Sequence, residues 1–183
     1  MKKLLLITGD IAAGKSTFSK ILSARYCAVV FQKDTIKEIL GDNIGFRNRE
    51  ENKMLSNATI EIMCHAFSQI AITDSNVILE ANFHEAELEK IHNIAHENQY
   101  DVLTLVLRGN ADVLYERYIR RMNEENRHPV HLTTTINEKE DFLKTAEWIR
   151  NEKIIGQTLE IEADDFSYQQ NSAILKQIDF FMK

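Results

Sequence analysis

Short apolar runs alternate with longer segments of helical periodicity along this chain of 183 residues. The runs with the length and pattern of strands are 3–8, 27–31, 76–81, 101–107 and 157–162. The segments with helical spacing are 15–26, 35–40, 50–72, 84–99, 111–122, 138–151 and a last helix that ends near residue 180. Strands that alternate with helices in this way form right-handed β-α-β units around a parallel sheet. We therefore expect an α/β fold, a three-layer α/β/α sandwich, in a single domain.

The second predicted helix is short, because Gly41 has the position of a helix terminator. Residues 41–48 are polar and predict a loop, and the longest helix follows at 50–72. The apolar positions that recur on one face of this helix are Leu55, Ile62, Met63, Ala66, Phe67 and Ile70. We expect this face to be buried.

The loop after the first strand has the glycine spacing G-x-x-x-x-G-K-[ST]. It lies between an apolar strand and an amphipathic helix, which is the context of a phosphate-binding P-loop. Its glycines let backbone N–H groups approach phosphate oxygens, which the positive end of the helix also attracts. Lys15 is expected to reach the β- and γ-phosphates, and Ser16 to ligate Mg²⁺. The residues expected to hold the nucleotide are Gly9, Ile11, Ala12, Ala13, Gly14, Lys15, Ser16 and Thr17.

Two carboxylates follow predicted strands, where ligands of parallel sheets bind. Asp34, after the second strand, could accept the proton of a hydroxyl that attacks a γ-phosphate. It could also simply cap the helix that begins at Thr35. Glu80, after the third strand, could hold Mg²⁺ or polarise the nucleophile, or could end the strand at the surface. Asn82 and Phe83 come next and could contact the acceptor of the phosphate.

Arginines recur near a stretch with the length of a lid, about 121–138. Arg117 and Arg121 are four residues apart and share one helix face, and Arg127 follows in the lid. The planar, permanently charged guanidinium suits the charge that develops during phosphoryl transfer. The alternative is a solvated helix face on which the arginines pair with Glu116, Glu124 and Glu125. His128 and His131 complete no metal spacing, and their roles stay open.

Composition excludes several classes of protein. With 44% hydrophobic and 27% charged residues, the chain has the make-up of a soluble globular protein. Its net charge of −6 argues against nonspecific nucleic-acid binding. No apolar run approaches the ~20 residues that span a bilayer. The apolar start runs directly into the P-loop and is therefore not read as a signal peptide, so we expect a cytoplasmic protein. We expect it to be a monomer or a homodimer. Cys27 and Cys64 fit no metal or redox spacing and are expected to be small buried residues.

With these residues placed, the chain resembles the P-loop small-molecule kinases of the nucleoside/nucleotide-kinase-like group. More narrowly, it is similar to the AAA-type ATP-binding family AAA_33, which includes zeta-toxin-like, chloramphenicol-phosphotransferase-like and polynucleotide-5′-kinase-like proteins. The resemblance rests on Gly9–Thr17, Asp34, residues 77–82, residues 112–121 and Arg127–Pro129. It implies a five-stranded parallel sheet in the order 2-3-1-4-5 with a lid over ATP. It also implies that Asp34 faces the acceptor, that lid arginines contact the phosphates and that adenine lies near residues 163–166.

These features predict a phosphotransferase that uses ATP and Mg²⁺ and moves the γ-phosphate to a hydroxyl of a small molecule. The expected catalytic residues are Lys15, Asp34, Arg117, Arg121 and Arg127, and the expected metal ligands are Ser16 and Glu80. The stretch 41–72 is expected to form much of the acceptor site, because loops are where specificity varies. The alternatives are a regulatory ATPase without a small-molecule acceptor and a polynucleotide 5′-hydroxyl kinase. A GTPase is not expected, because no guanine-reading Asn-Lys-x-Asp follows a strand.

Overall fold

The computed structural model describes residues 2–124, 127–132, 136 and 138–183. The strands are β1 (Lys2–Gly9), β2 (Val29–Gln32), β3 (Val77–Glu80), β4 (Tyr100–Arg108) and β5 (Gln157–Glu162). The helices are α1 (Lys15–Tyr26), α2 (Lys33–Ile44), α3 (Arg49–Ile70), α4 (Glu85–Glu97), α5 (Ala111–Glu124), α6 (Lys139–Asn151) and α7 (Ser172–Met182). Two 3₁₀ turns cover Pro129–His131 and Ser167–Gln170.

The five strands form one sheet in the order β2-β3-β1-β4-β5, and all neighbours pair in parallel. β1 lies at its centre, with Leu4 to Ile7 fully buried. Leu5 and Ile7 belong to one apolar cluster, with residues of α1, α5 and α6, whereas Leu4 and Leu6 belong to a second, with residues of α3 and α4. Helices therefore cover both faces of the sheet, which confirms the predicted three-layer sandwich.

The strand order determines what surrounds the P-loop, which follows the central strand β1. The segments after β2 and β3 lie on one side of it, and the segment after β5 lies on the other. Residues distant in the chain can therefore approach one ligand from opposite sides. None of the described helices is long and apolar enough to cross a membrane.

α2 differs from its predicted form. It does not stop at Gly41 but continues to Ile44, and its C-cap is Gly45, with φ at 75°. A Cβ on Gly41 would lie 2.4 Å from Cγ1 of Val130. The prediction that Gly41 ends the helix was wrong, because the missing side chain makes room for the segment 127–132.

Two burial predictions were only partly right. The buried residues of α3 are Asn52, Leu55, Thr59, Ile60, Met63, Cys64 and Phe67, which include the predicted Leu55, Met63 and Phe67. Ile62 is 41% exposed, so the buried face is rotated from the predicted one. Cys27 is exposed, because it caps α1 in the left-handed region with φ at 50°. The burial of Cys64 is confirmed.

Candidate active site

A cavity of about 660 Å³ lies where the P-loop meets the segments that follow β2, β3 and β5. The predicted site residues that line it are Ile11, Ala12, Ala13, Gly14, Lys15, Ser16, Thr17, Asp34, Glu80, Arg117, Arg121 and Arg127. Gly9 does not line the cavity. A Cβ on Gly9 would lie 2.1 Å from the carbonyl oxygen of Leu107, and its φ is 119°. Gly9 therefore serves the packing of the P-loop against β4.

The other P-loop glycine meets the segment that follows β5. Gly14 caps α1 with φ at 88°, and a Cβ there would lie 2.7 Å from the hydroxyl of Tyr168. That hydroxyl donates a hydrogen bond to the carbonyl of Ala13 at 2.8 Å. Tyr168 is buried, and its ring meets Phe18 edge-on at 5.1 Å. The loop is thus held by a residue that no sequence motif indicated.

Lys15 bridges the two ends of the loop. Its Nζ donates to the carbonyl oxygens of Gly9 at 2.9 Å and Asp10 at 2.7 Å. Burial lowers the pKa of Lys15, and the carboxylates of Glu80 and Asp34 oppose that shift. An ammonium carries three N–H donors, so two of them hold the loop and a third remains for a ligand.

Ser16 and Glu80 form the oxygen pair expected at a metal site. The Ser16 hydroxyl donates to Oε2 of Glu80 at 3.0 Å. Glu80 is buried, so the alternative of a carboxylate that merely ends β3 at the surface was wrong. Burial raises the pKa of Glu80, against the opposing charge of Lys15. A hydroxyl and a carboxylate side by side are hard oxygen ligands of the kind that Mg²⁺ prefers.

Asp34 is the second residue of α2, whose N-cap is Gln32. The capping alternative for Asp34 was therefore wrong. Its carboxylate is exposed at the cavity and accepts no hydrogen bond and forms no ion pair within the described ranges. Lys33 and Lys37 lie on either side of it and line the same cavity. Lys37 donates a 3.4 Å hydrogen bond to the carbonyl of Val130, and burial lowers the pKa of Lys37.

Arg117 lies at the β5 side of the cavity. Its guanidinium donates to the carbonyl of Ala163 at 2.8 Å and to that of Asp164, and its Cζ lies 4.5 Å from the ring centroid of Phe166. Arg121 and Arg127 also line the cavity. The predicted alternative was a helix face on which arginines pair with glutamates. Part of it involves Glu125 and the side chain of Glu124, which lie outside the described residues.

The predicted lid is described only in part, because residues 125, 126, 133–135 and 137 lie outside the described residues. Residues 121–124 of the predicted lid belong to α5, and the segment 127–132 packs on α2 and α3. His128 Nε2 lies 2.9 Å from Oδ1 of Asp42, and His131 Nε2 lies 2.7 Å from Oε1 of Glu38. Both histidines therefore attach this segment to the helix that carries Asp34.

The stretch 41–72 supports the lid as well. Asn52 donates a hydrogen bond to the carbonyl of the buried Val130 at 2.8 Å. Ser56 is the residue that this stretch contributes to the cavity wall among those described. α2 contributes three lining residues. The cavity wall near Asp34 is therefore formed more by α2 than by the stretch 41–72, which the sequence had indicated.

Asp10 is a second residue that sequence reasoning missed. It is fully buried, and its carboxylate accepts hydrogen bonds from Arg150 (Nε at 3.0 Å, Nη2 at 2.6 Å), from the backbone N–H of Gly109 at 3.0 Å and from Nη1 of Arg108 at 3.3 Å. These contacts tie the P-loop to the end of α6 and the end of β4. The partners are far apart in sequence, so no local pattern indicates them.

An aromatic wall stands on the β3 side of the cavity. Trp148 of α6 and His84 both line it, and their ring centroids are 4.9 Å apart. His84 Nδ1 lies 2.8 Å from Oε1 of Glu152. Asn82 belongs to the same wall, and its Oδ1 is buried with no hydrogen-bond partner within the described part of the chain. Trp148 carries no motif in the sequence.

Comparison with known families gives one match, to the AAA domain family AAA_18, over residues 5–143. The predicted AAA-type domain is therefore confirmed at this level, whereas the match is not to AAA_33. A search among curated proteins found no significant match.

Solved structures share the fold over nearly the whole chain. A candidate kinase from Chloroflexus aurantiacus J-10-fl has a TM-score of 0.82 at 23% identity, with 100% of this chain and 99% of that chain covered. Kti12 from Chaetomium thermophilum, in complex with ADP-AlF3, has a TM-score of 0.67 at 15% identity, with 98% and 99% covered. Shikimate kinase from Bacteroides thetaiotaomicron has a TM-score of 0.62 at 18% identity, with 99% of each chain covered. The fold is thus one that P-loop kinases use.

Proposed function

Because the chain belongs to the AAA domain family, we propose that it is an ATP-dependent phosphotransferase, a P-loop kinase that moves the γ-phosphate of ATP to a hydroxyl of a small-molecule acceptor. The narrower kinship with AAA_33 proteins is part of the same proposal. The observation that carries it is that one cavity is lined both by the P-loop and by Asp34, a carboxylate with no partner among the described residues. A carboxylate beside the phosphates can take the proton of an attacking hydroxyl, which is the role that a phosphotransferase requires.

The P-loop would hold the nucleotide. Backbone N–H groups of residues 11–17 and the start of α1 would surround the phosphates. The remaining N–H of Lys15 would reach the β- and γ-phosphates. Arg117 and Phe166 flank the other side of the loop, where the family resemblance puts adenine. Arg117 is accordingly better placed for the base and ribose than for the γ-phosphate, which Arg121 and Arg127 would contact.

The donor set at the P-loop fits Mg²⁺. Ser16 Oγ and Glu80 Oε2 are already 3.0 Å apart, and phosphate and water oxygens would complete the shell. When bound, the ion neutralises charge on the β- and γ-phosphates. Glu80 would act directly or through a water.

Asp34 would act as general base. Its carboxylate takes the proton of the acceptor hydroxyl while that oxygen forms a bond to the γ-phosphorus. The bond between the γ-phosphorus and the bridging oxygen breaks, and ADP leaves with the electron pair. Lys15, Arg121 and Arg127 stabilise the charge on the transferred group. All the side chains that this transfer uses line the cavity.

The experiment is an acceptor screen with ATP. Binding of ATP should raise the melting temperature even without an acceptor, because a ligand of the native state stabilises it by mass action. Sugars, sugar acids, nucleosides and aminocyclitols are then tested for acceptor-dependent ADP release, and the product for a phosphate ester. ADP release that no acceptor changes would favour the regulatory ATPase, and transfer to oligonucleotide 5′-ends alone would favour the polynucleotide kinase.

A further inference from the structure

Trp148 is the only tryptophan of the chain, and it stands in the cavity wall with 53% of its surface exposed. Aromatic side chains offer a large contact area, and ligand cavities are lined mainly by hydrophobic and aromatic side chains. The catalytic roles assigned above make no use of this ring.

The ring is held in place before any ligand arrives. Trp148 packs on His84, with ring centroids 4.9 Å apart and planes inclined by 58°. Both oxygens of Glu152, the C-cap of α6, hold the beginning of α4: Oε1 lies 2.8 Å from His84 Nδ1, and Oε2 accepts from the backbone N–H of Glu85 at 3.2 Å. A preorganised surface loses little entropy when it binds.

The same wall offers polar atoms for hydrogen bonds. Glu152 engages Nδ1 of His84, so Nε2 is the ring nitrogen left for a ligand hydroxyl, which can donate or accept a hydrogen bond. Asn82 Oδ1 is buried without a partner among the described residues. Buried amide oxygens are normally satisfied, so a donor from a ligand would complete this one. An aromatic ring beside an imidazole nitrogen and an amide oxygen suits a ring that bears hydroxyl groups.

The wall lies on the acceptor side of the P-loop. His84 follows β3, and Asp34 follows β2, its neighbour in the sheet. Phe166 and Arg117, which flank the proposed base site, belong to the β5 side. A ring that packs on Trp148 is therefore on the side of the proposed general base, away from the base of ATP.

We propose that Trp148 is the platform on which the ring of the phosphate acceptor stacks, with His84 as a hydrogen-bond partner for one of its hydroxyls. This inference rests on the proposed kinase function and deepens it: the acceptor is a cyclic hydroxyl compound rather than an open-chain one. A nucleobase and the C–H face of a sugar or cyclitol ring present the same kind of surface, and the test separates them.

The first measurement is the fluorescence of Trp148, which needs no introduced label because the chain holds a single tryptophan. The enzyme is saturated with a non-hydrolysable ATP analogue and titrated with adenosine and thymidine, with myo-inositol and D-glucuronate, and with the open-chain compounds D-gluconate and D-sorbitol. At least one of the two cyclic groups should change the emission saturably, and the open-chain pair should not. The ATP analogue alone should leave the emission nearly unchanged.

The second measurement is the kinetics of the variants. With the cyclic compound that is phosphorylated, Trp148→Leu should raise the acceptor KM about three- to tenfold, the range expected for loss of one aromatic contact. Trp148→Phe should restore most of the loss, and the KM for ATP should not change in either variant. Phe180→Leu, which removes an 83% exposed ring of α7 outside the cavity lining, is the matched control.

The outcomes separate this inference from the proposed function. A cyclic compound that changes the emission of Trp148 but is never phosphorylated supports the platform and contradicts the kinase. The best substrate could instead be an open-chain compound whose KM is unchanged in Trp148→Leu. That result supports the kinase and overturns the platform. Emission that responds to the ATP analogue alone, or to none of the compounds, also overturns it.

Discussion

Arg150, in the last turn of α6, donates two hydrogen bonds to the buried carboxylate of Asp10 across 140 residues of sequence, from Nε at 3.0 Å and from Nη2 at 2.6 Å. A bidentate pair of this kind fixes both distance and orientation. It connects the P-loop to the helix that carries Trp148, so the proposed nucleotide and acceptor regions of the cavity share one anchor. The pKa of Arg150 is raised by its hydrogen bonds to Asp10.

Arg150→Met should lower the free energy of unfolding by about 2–3 kcal/mol, because it leaves a buried carboxylate with weaker partners. Arg108 and the N–H of Gly109 remain on Asp10, so the loss should stay below that of a wholly unpaired buried charge. Chemical denaturation measures the change. Arg49→Met, at an exposed position of α3, is the matched control, and an equal loss in both variants would contradict the role of the pair.

Gly41→Ala should destabilise the protein by about 1–3 kcal/mol, although alanine favours helices, because the added Cβ meets Val130 at 2.4 Å. Val130→Ala should be destabilising alone, since it empties a buried position. The double variant should be more stable than the sum of the two changes predicts. If the two changes in the free energy of unfolding were strictly additive, the contact with Val130 would not explain why residue 41 is glycine.

The contact between α1 and α7 predicts a pH dependence of stability. Hydrogen bonds from Arg25 and Tyr26 lower the pKa of Asp179 to about 2. Because this pKa is below that of an unfolded aspartate, about 3.9, the stabilisation is complete above about pH 4 and is lost as the pH falls towards 2. Asp179→Asn should therefore unfold more easily than the wild type at neutral pH, and the difference should shrink across that window. A difference that stays constant down to pH 2, or one equally shown by the exposed Asp74→Asn, would contradict this account.

Lys15→Ala should abolish the ATP-induced rise in melting temperature and turnover while the protein still unfolds cooperatively. The ammonium bonds only to loop carbonyls among the described contacts, so the apolar core does not depend on it. Lys20→Ala, at an exposed position of the same helix, should change neither quantity. Turnover that survives in Lys15→Ala would contradict the P-loop assignment.

The fold could be read from the sequence because its signals are local. The P-loop spacing, the apolar run before it and the helix after it lie within one short stretch, and the strand order follows from the resemblance that they support. Gly41 was misread because its reason is a contact with Val130, which comes from a distant part of the chain. Cys27 was misread because a helix cap, and not its apolar character, decides its exposure.

The residues of the site also differ in whether a local sequence pattern indicates them. Lys15, Ser16, Asp34 and Glu80, which all line the cavity, could be predicted because each occupies a set place after a strand or in the loop. Asp10, Tyr168 and Trp148 were missed because their roles depend on partners that only the tertiary structure brings near. Residue type alone could not separate a buried anchor such as Asp10 from a surface aspartate.

The most direct test of the central claim is the turnover of Asp34→Asn with ATP and the acceptor found in the screen. A general base that contacts only the acceptor predicts a fall in kcat of about 10²–10⁴-fold, with the KM for ATP and the ATP-induced rise in melting temperature unchanged. Asp74→Asn should retain wild-type turnover. If Asp34→Asn kept its kcat, or lost ATP binding as much as turnover, Asp34 would not be the base, and the phosphotransferase mechanism proposed for this cavity would be contradicted.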